Sequence, residues 1–408
     1  MCFDLKGAQM NLHANTASNR NSRRRLARML VVAGLLAALV AGSLGHRGVA
    51  SGATDRSRVD RAKPSFSHPT SITHPLFPKS KLSQVIQLGA EGGDKLRFEV
   101  TQLRKTKVVK WNGRKIKTRV THFVAYMNGR ILEVAVDFFA QADDGSVWYF
   151  GENVDNYKHG VVADHEGTWL AGKDGPPGMI MPANPRVGNV YRPENIPGLV
   201  FEEVTVKATG KTVPGPRGRI SGAIFVQEHL LDGTFEDKIY APGYGEFQAH
   251  VASSNELYNV ALAVPVDSLS GRPLPGELSR LSAGAASIFD AARSENWDRS
   301  RATIVKMTAV WNAYRKGAVP KLLAAQMSDA LRALDAAVAA RKPAAASQAA
   351  IDTGRATLDL QLRYRTVAEI DRARLGLWKQ QLILDRASGR SAAVAGDLAT
   401  IRAIAARS

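Results

Sequence analysis

The sequence predicts an α+β protein in which an N-terminal antiparallel β domain is followed by a C-terminal α-helical bundle. Two patterns support this fold class. Between Leu82 and Val264, apolar and polar residues alternate in short stretches separated by turn residues, whereas beyond residue 280 apolar residues recur every three or four positions. The string from Asp267 to Gly276, rich in Ser, Gly and Pro, separates the two patterns and has the composition of a linker.

The first 53 residues have the pattern of an export signal. A cluster of arginines precedes an uncharged apolar stretch from Met29 to Leu44, and small residues follow at Ala50, Ser51 and Ala53. The stretch is at the short end for a membrane span, for which about 20 residues are usual. We therefore expect a cleaved signal peptide, with a retained transmembrane helix as the alternative. Either outcome predicts an extracytoplasmic protein, secreted or held in the cell envelope.

Cysteine content and charge limit the classes of function. The only cysteine is Cys2, ahead of the predicted signal, so the exported part has no disulfide, no thiol nucleophile and no cysteine-ligated zinc. The formal net charge is +18; residues 1–53 hold seven Lys/Arg and one acidic residue, so about +12 remains beyond them. Nucleic acid is a poor partner outside the cell. The charge therefore indicates either solubility or contact with an anionic envelope surface.

Composition divides the exported chain into four segments. Residues 54–78 are basic and contain four prolines, which predicts a flexible lead. Residues 79–266 form the antiparallel β domain, residues 267–280 the linker and residues 281–408 the helical bundle. We expect this part of the protein to reach a membrane only through the N-terminal segment, if that segment is not cleaved.

The β pattern is most clearly defined where three two-residue turns interrupt it. They are Asn112-Gly113, Asn128-Gly129 and Asp144-Gly145, pairs that tolerate positive φ at both central positions and so favour tight hairpins. Pairing across the second turn predicts two faces. We expect Phe123, Ala125, Leu132, Val134, Val136 and Phe138 on the core face, and Val124, Glu133 and Asp137 on the opposite face.

The first of these hairpins is strongly basic. Residues 104–119 contain eight Lys/Arg and no acidic residue. Alternation along the strands puts Val109, Trp111, Ile116 and Val120 on one face and a row of cations on the other. Carried on to Phe123, the same alternation would put the cations on the core face. Either a bulge near Thr121 or a hairpin that projects beyond the core resolves this conflict. The cations predict either a solvated hairpin or a surface that docks on anionic lipid or wall polymer. The docking candidates are Arg104, Lys110, Lys115, Lys117 and Arg119.

The C-terminal pattern predicts an antiparallel bundle of amphipathic helices. The expected helices span residues 282–294, 298–316, 320–341, 347–363, 368–386 and 392–406. No histidine occurs after His250, and the only glutamates beyond residue 281 are Glu295 and Glu369. Because the ligand set of a di-iron bundle needs Glu and His together, the bundle is expected to be structural.

The aromatic, Gly-rich and Pro-rich stretch over residues 148–192 carries a resemblance. Together with a later motif at residues 240–245, its motifs resemble a widespread uncharacterised family of secreted bacterial β-rich proteins over about residues 70–250. The family has no known activity or site. It implies an antiparallel sheet, a curved sheet or half-barrel. The motifs are Trp148-Tyr149-Phe150-Gly151-Glu152, Gly167 with Trp169, Ala171-Gly172 with Asp174-Gly175, Met181-Pro182-Ala183-Asn184-Pro185, Val187-Gly188 with Tyr191-Arg192, and Tyr240-Ala241-Pro242-Gly243-Tyr244-Gly245.

The aromatic residues of this region are the candidates for ligand binding. Trp148, Tyr149, Trp169 and Tyr191 either line a concave face that takes a small apolar ligand or fill the core of the sheet. No metal site, cofactor or set of catalytic residues is predicted, because no motif with the required spacing occurs. We therefore expect a non-catalytic binding or accessory protein.

Two alternative functions remain open. A hydrolase would use the loop that carries Asp155, His159 and His165, although this loop also fits an ordinary polar surface turn. An adhesive module would dock on anionic lipid or wall polymer through the basic hairpin.

Overall fold

A computed structural model of the chain describes residues 57–407, so the predicted export signal lies outside the described residues. Over these residues the protein has the predicted α+β fold, with one 15-stranded sheet followed by six helices. The strands are β1 Ser57–Arg58, β2 Gln84–Glu91, β3 Asp94–Trp111, β4 Arg114–Met127, β5 Arg130–Gln141, β6 Val147–Lys158, β7 Val161–Asp164, β8 Trp169–Leu170, β9 Gly178–Met181, β10 Asn189–Ile196, β11 Val200–Gly215, β12 Gly218–Leu230, β13 Phe235–Ala241, β14 Gly245–Val251 and β15 Glu256–Val264.

The sheet curls until its two ends touch. Its hydrogen-bonded order is β1-β10-β11-β12-β13-β14-β15-β2-β3-β4-β5-β6-β7, with β8 and β9 also paired to β6. All neighbours are antiparallel except β1 and β10. A Cβ atom on Gly178 of β9 would lie 1.8 Å from the carbonyl oxygen of Pro193 in β10, so the two backbones are in contact there. The sheet is therefore strongly curved, with a concave interior.

Two of the three predicted turns have the predicted backbone conformation. Asn112 and Gly113 have φ values of 48° and 72°, and Asn128 and Gly129 have φ values of 49° and 73°, as a tight turn with two left-handed residues requires. At the third turn only Gly145 has positive φ. There Asp144 accepts hydrogen bonds from the backbone N–H and the hydroxyl of Ser146, which stabilises a longer loop between β5 and β6.

A bulge in β5 reverses the predicted faces. Ala125 pairs with Glu133 but Tyr126 pairs with Ile131, so Leu132 is an extra residue in β5. Beyond this bulge Val134 packs towards the helices, beside Val124, while Glu133 and Asp137 point into the sheet's interior. The predicted assignment of Glu133 and Asp137 to the outer face was therefore wrong, because sequence alternation gives no sign of a one-residue insertion.

The described part of the predicted flexible lead is folded against the sheet. Ile72, Leu76 and Phe77 are buried in the same core as Trp148 and Trp169. Residues 72–82 cross one end of the curled sheet, and we call them the strap. The backbone of Ile72 both donates to the Ser80 hydroxyl (2.7 Å) and accepts from the Ser80 N–H (2.9 Å), which closes the strap into a compact loop.

The helices cover part of the outer face of the sheet. They are α1 Gly276–Arg293, α2 Trp297–Tyr314, α3 Lys321–Ala339, α4 Pro343–Gln361, α5 Val367–Ala387 and α6 Ser391–Ala405, so α1 begins inside the predicted linker. Helix α4 is buried along most of its length, and a capping box of Thr366 and Glu369 starts α5. The bundle core is continuous with Ile86 and Leu262 of the sheet, and Trp378 of α5 stacks on Tyr126.

Charged side chains are buried where the bundle meets the sheet. Arg97 of β3 contacts Asp359 of α4 at 2.6 Å, and Glu99 of β3 contacts Arg407 at 2.6 Å. Arg374 of α5 donates to Gln84 of β2 at 2.9 Å. Sequence periodicity alone predicts solvated arginines on a helical bundle, so these buried pairs are a feature of the tertiary structure. Within residues 57–407, no helix is long and apolar enough to span a membrane.

Candidate functional site

The concave interior of the sheet contains a cavity of about 160 Å³. Its wall is built from β2–β6 and β9–β15, so nearly every long strand contributes to it. Alternate residues of β5, namely Glu133, Ala135, Asp137 and Phe139, all face the cavity, as strand geometry requires once the bulge at Leu132 is passed. The cavity is therefore an intrinsic product of the sheet's curvature and register.

The cavity wall is unusually acidic. Its carboxyl groups outnumber its ammonium groups, since only Lys79 and Lys238 supply a positive charge to the wall. Carboxylates withdrawn from water are unfavourable unless they are paired, hydrogen-bonded or protonated. The acidic residues of the wall are Glu133, Asp137, Glu152, Glu194, Glu202, Glu228 and Glu246.

Lys238 neutralises one side of the cavity. Its Nζ atom lies 2.7 Å from Glu228, 3.3 Å from Glu236 and 3.6 Å from Glu246. Burial lowers the pKa of Lys238, but the three carboxylates outweigh burial and hold its pKa well above the usual value. Burial also raises the pKa of Glu236, to about 8, despite the opposing effect of Lys238. On this side of the cavity, Lys238 therefore lies within ion-pair distance of all three carboxyl groups.

Two other carboxyl groups of the wall, those of Glu133 and Glu202, have no partner. Glu133 is 3% exposed, and burial, helped by the charge of Asp137, raises its pKa to about 8. Burial and the nearby Glu194 raise the pKa of Glu202 well above its usual value. Within residues 57–407, neither Glu133 nor Glu202 forms a hydrogen bond or an ion pair with a protein group. Both face the cavity, where only a bound molecule or water can satisfy them.

Two further carboxyl groups of the wall, those of Glu152 and Glu194, are close enough to shift each other's pKa. Trp169 donates its indole N–H to Glu194 at 2.7 Å, and Glu152 lies close enough to Glu194 to perturb its pKa. Burial raises the pKa of Glu194 to about 7 against the lowering effect of Trp169, and burial together with Glu194 raises the pKa of Glu152 well above its usual value. A pair of this kind holds a proton at neutral pH.

The strap closes one end of the cavity with Phe77, Pro78 and Lys79. The Nζ atom of Lys79 lies 4.7 Å from the ring centre of Phe77 and 5.1 Å from that of Phe139. Burial lowers the pKa of Lys79, and Asp137 and Glu246 oppose this effect. The Lys79 ammonium is therefore held over two aromatic rings at the closed end, where burial outweighs the two nearby carboxyl groups.

Aromatic rings fill the spaces between the carboxyl groups. Phe139 and Tyr149 are stacked with ring centres 4.7 Å apart, and Tyr149 donates a long hydrogen bond of 3.5 Å to Asp137. Tyr258 donates to Glu246 at 2.8 Å. The wall therefore offers carboxylate oxygens and π faces together, a combination that suits an organic cation.

The four predicted ligand-binding aromatics have different positions. Tyr149 lines the cavity. Trp148 and Trp169 are buried, donating to the Ser146 hydroxyl and to Glu194 respectively. Tyr191 is fully buried. Of these four, only Tyr149 reaches the cavity, and the other three support its wall from behind.

The residues predicted to dock on an anionic surface lie in the β3–β4 hairpin, on the C-terminal part of β3 and the N-terminal part of β4. Arg104, Lys110, Lys115 and Lys117 are exposed, and Arg119 is half-buried. The apolar residues predicted for the other face, Val109, Ile116 and Val120, are buried. The amphipathic pattern of this hairpin is therefore confirmed at the level of burial.

The predicted hydrolase residues lie on the surface, in the β6–β7 hairpin. His165 Nδ1 lies 2.9 Å from Asp155, with the His side chain 68% exposed. His159 is exposed and has a φ of 54°, as expected for a turn residue. None of the three lines the cavity. Within residues 57–407 no group of three or more His, Cys, Asp or Glu side chains is arranged to hold a metal ion.

The sequence contains a signal for the cavity that strand alternation alone does not reveal. Acidic residues interrupt otherwise apolar strands at Glu133, Asp137, Glu152, Glu194 and Glu228. Such residues are expected on the solvated face of a one-sided sheet, so each alone is unremarkable. Their recurrence on many strands, with few cations among them, is what indicates a polar interior.

Comparisons of the chain with protein-family models, with curated proteins and with solved structures find no match. The resemblance to a secreted β-rich family therefore stays a prediction from the motifs.

Proposed function

We propose that this protein is a non-catalytic binding protein that takes a small organic cation into the interior of its curled sheet. The observation that carries the proposal is a pair of cavity carboxyl groups, the buried Glu133 and the half-buried Glu202, that have no partner among the described residues. With the predicted export signal, the proposed place of action is extracytoplasmic.

The chemistry of the wall supports a cationic ligand over an apolar one. An apolar molecule in this cavity would leave Glu133 and Glu202 without a partner, which costs about 1–3 kcal/mol for a fully buried group such as Glu133. An alkylammonium group instead donates hydrogen bonds to these carboxylates and lowers their pKa values towards the ionised form. The sequence-based expectation of a small apolar ligand therefore gives way to a small amine with an apolar body.

The size and lining of the cavity narrow the ligand further. A volume of about 160 Å³ suits a molecule of only a few carbon and nitrogen atoms. The methylene groups of such a molecule can pack on the stacked rings of Phe139 and Tyr149, while its ammonium groups meet the carboxylates on either side. A short aliphatic diamine satisfies both requirements.

The test compares two probes of nearly equal shape, 1,6-diaminohexane and 1,6-hexanediol, by isothermal titration calorimetry on the full chain. We expect the diamine to bind and the diol to bind at least about tenfold more weakly, since a charged hydrogen bond contributes about 1.5–3 kcal/mol. Equal binding of the two probes, or heat from the diol alone, contradicts the proposal.

A matched pair of variants locates the binding. Glu202 faces the cavity, whereas its neighbour Glu203 points the other way and contacts Arg192 at 2.7 Å. We expect Glu202→Gln to weaken diamine binding at least about tenfold and Glu203→Gln to leave it unchanged. Equal effects of the two substitutions would place the amine outside the cavity.

One observation favours a second candidate, an acid–base enzyme acting on a small molecule in the same cavity. Glu152 and Glu194 both line the cavity and shift each other's pKa, and the pKa of Glu194 is raised to about 7, which suits proton transfer near neutral pH. This candidate predicts turnover of an ester small enough to enter the cavity, and loss of that turnover in Glu194→Gln. A binding protein predicts no turnover by either form. The exposed His165–Asp155 pair supports a hydrolase less well, since it lies outside the cavity.

A further inference from the structure

The basic hairpin is a separate arm of the sheet. We call residues 103–120 the basic arm. In it, β3 pairs with β2 only as far as Thr101, and β4 pairs with β5 only from Arg119 onwards. The pairing of β3 with β4 is interrupted between Gln102 and Thr106, so extra residues of β3 loop out where the arm leaves the sheet. The arm therefore leaves the sheet as a two-stranded ribbon, with the irregularity next to Thr121, where one of the two predicted outcomes placed a bulge.

The underside of the basic arm is fixed to the rest of the protein. Val109 and Ile116 are buried, and the ring of Trp111 lies 6.2 Å from that of Phe150 in an edge-to-face arrangement. A Cβ atom on Gly172 would lie 2.1 Å from the carbonyl oxygen of Lys110, so only glycine permits this close approach. The opposite face of the arm is consequently held towards solvent in one orientation.

The solvent face places like charges directly opposite one another. Lys110 pairs with Lys115 across the two strands, and Lys117 pairs with Val108. Like charges at directly opposed positions destabilise a strand pair. Within residues 57–407, none of the eight Lys/Arg side chains at 104–119 forms an ion pair with an acidic residue. The face thus keeps an unfavourable arrangement that an external anion would relieve.

We propose that the solvent face of the basic arm docks on an anionic phospholipid bilayer. Lysine and arginine side chains donate to lipid phosphates, and each contributes to binding an anionic membrane surface. An apolar side chain in the middle of this face selects lipid over a hydrophilic polymer: Val108 is 55% exposed beside Lys117. Valine gains nothing from a polyanion in water but can enter the boundary between headgroups and acyl chains.

The test reports on the arm itself, independently of the N-terminal apolar stretch. The full chain carries Cys2→Ser with Val108→Cys, and an environment-sensitive fluorophore is attached at position 108. We expect its emission to shift to the blue with vesicles of mixed phosphatidylcholine and phosphatidylglycerol, not with phosphatidylcholine alone, and the shift to diminish as ionic strength rises. The same fluorophore on Val305→Cys, at a 69% exposed position of α2, should not respond.

A charge-reversal variant separates docking from folding. Lys115→Glu places a carboxylate opposite Lys110, so the arm should fold at least as stably, while the loss of two charge units should weaken vesicle binding about 25-fold. The control Lys316→Glu changes an exposed lysine of the bundle and should bind normally. The proposal is overturned if position 108 responds equally to both vesicle types or to neither, if Lys115→Glu docks normally, or if only soluble polyphosphate produces the response.

Discussion

At the scale of single residues, the cavity combines stability costs with binding capacity. A buried carboxyl group without a partner is unfavourable. Replacing Glu133 with an apolar residue would therefore not lower the free energy of unfolding, and selection for stability alone would not retain it. Burial instead raises its pKa to about 8 in the described structure. A group that remains protonated until a cation arrives can release its proton to form a charged hydrogen bond, so the residue is suited to ligand capture.

The same carboxyl group predicts how stability depends on pH. The pKa of Glu133 rises from 4.5 to about 8 on folding, so the folded chain binds more protons between these values and stability falls as pH rises through them. One such group contributes a slope of at most about 1.4 kcal/mol per pH unit. We expect Glu133→Gln to flatten the loss of stability, measured by chemical denaturation at several pH values.

The control for this prediction is Glu203→Gln, since Glu203 contacts Arg192 and does not line the cavity. Its stability should follow the wild-type pH dependence. Adding 1,6-diaminohexane should also flatten the wild-type curve, because the bound amine favours the ionised carboxylates. Parallel curves for wild type and Glu133→Gln would show that Glu133 is ionised in the folded protein.

At the scale of elements, sequence patterns predicted the strands and helices better than their faces. Asn-Gly pairs fixed two hairpins because left-handed turns need those residues, and heptad-like spacing located the helices. The inserted Leu132 left no trace in the alternation, so Glu133 and Asp137 were assigned to the wrong face. The cavity is lined by residues from a dozen separate strands. Whether those residues meet depends on the register and curvature of the sheet, which no local sequence pattern specifies.

Closure of the curled sheet depends on one glycine. A Cβ atom on Gly178 would lie 1.8 Å from the carbonyl oxygen of Pro193, at the contact between β9 and β10. We expect Gly178→Ala to force these backbones apart and lower the free energy of unfolding by about 1–3 kcal/mol or more. Chemical denaturation measures the change, and diamine binding should weaken with it because Glu194 lies on β10.

Gly376 provides the matched control in helix α5. A Cβ atom there would meet no atom within 4 Å, so Gly376→Ala should raise stability by about 0.5–1 kcal/mol. If Gly178→Ala were as stable as the wild type, the two ends of the sheet would have to be less closely packed than described.

At the scale of the whole molecule, the bundle acts as an outer support for the cavity wall. Strand β3 contributes Val100 and Gln102 to the cavity, and the same strand presents Arg97 and Glu99 to the helices. Buried ion pairs of this kind contribute little net stability compared with apolar packing, but they penalise any other alignment of the two layers. The bundle therefore fixes the curvature on which the cavity depends.

Glu99 is the centre of this contact, which makes it the sharpest test of coupling between sheet and bundle. It lies 2.6 Å from Arg407 and 2.8 Å from Arg97. Burial disfavours its charge, but Arg374, Arg407 and Arg97 outweigh burial and hold the pKa of Glu99 well below 4.5. Its contribution to stability is therefore present above about pH 4.5 and is lost as pH falls through the lower folded-state value.

We expect Glu99→Gln to lower the free energy of unfolding at neutral pH by about 3–5 kcal/mol, because the buried arginines lose a charged partner. Helical circular dichroism and cavity-dependent diamine binding should be lost together on denaturation, since the bundle holds β3 in place. The half-exposed helix residue Glu277, replaced by Gln, is the control and should change stability by less than about 0.5 kcal/mol. Diamine binding that survives after the helical signal has melted would show that the sheet keeps its cavity without the bundle.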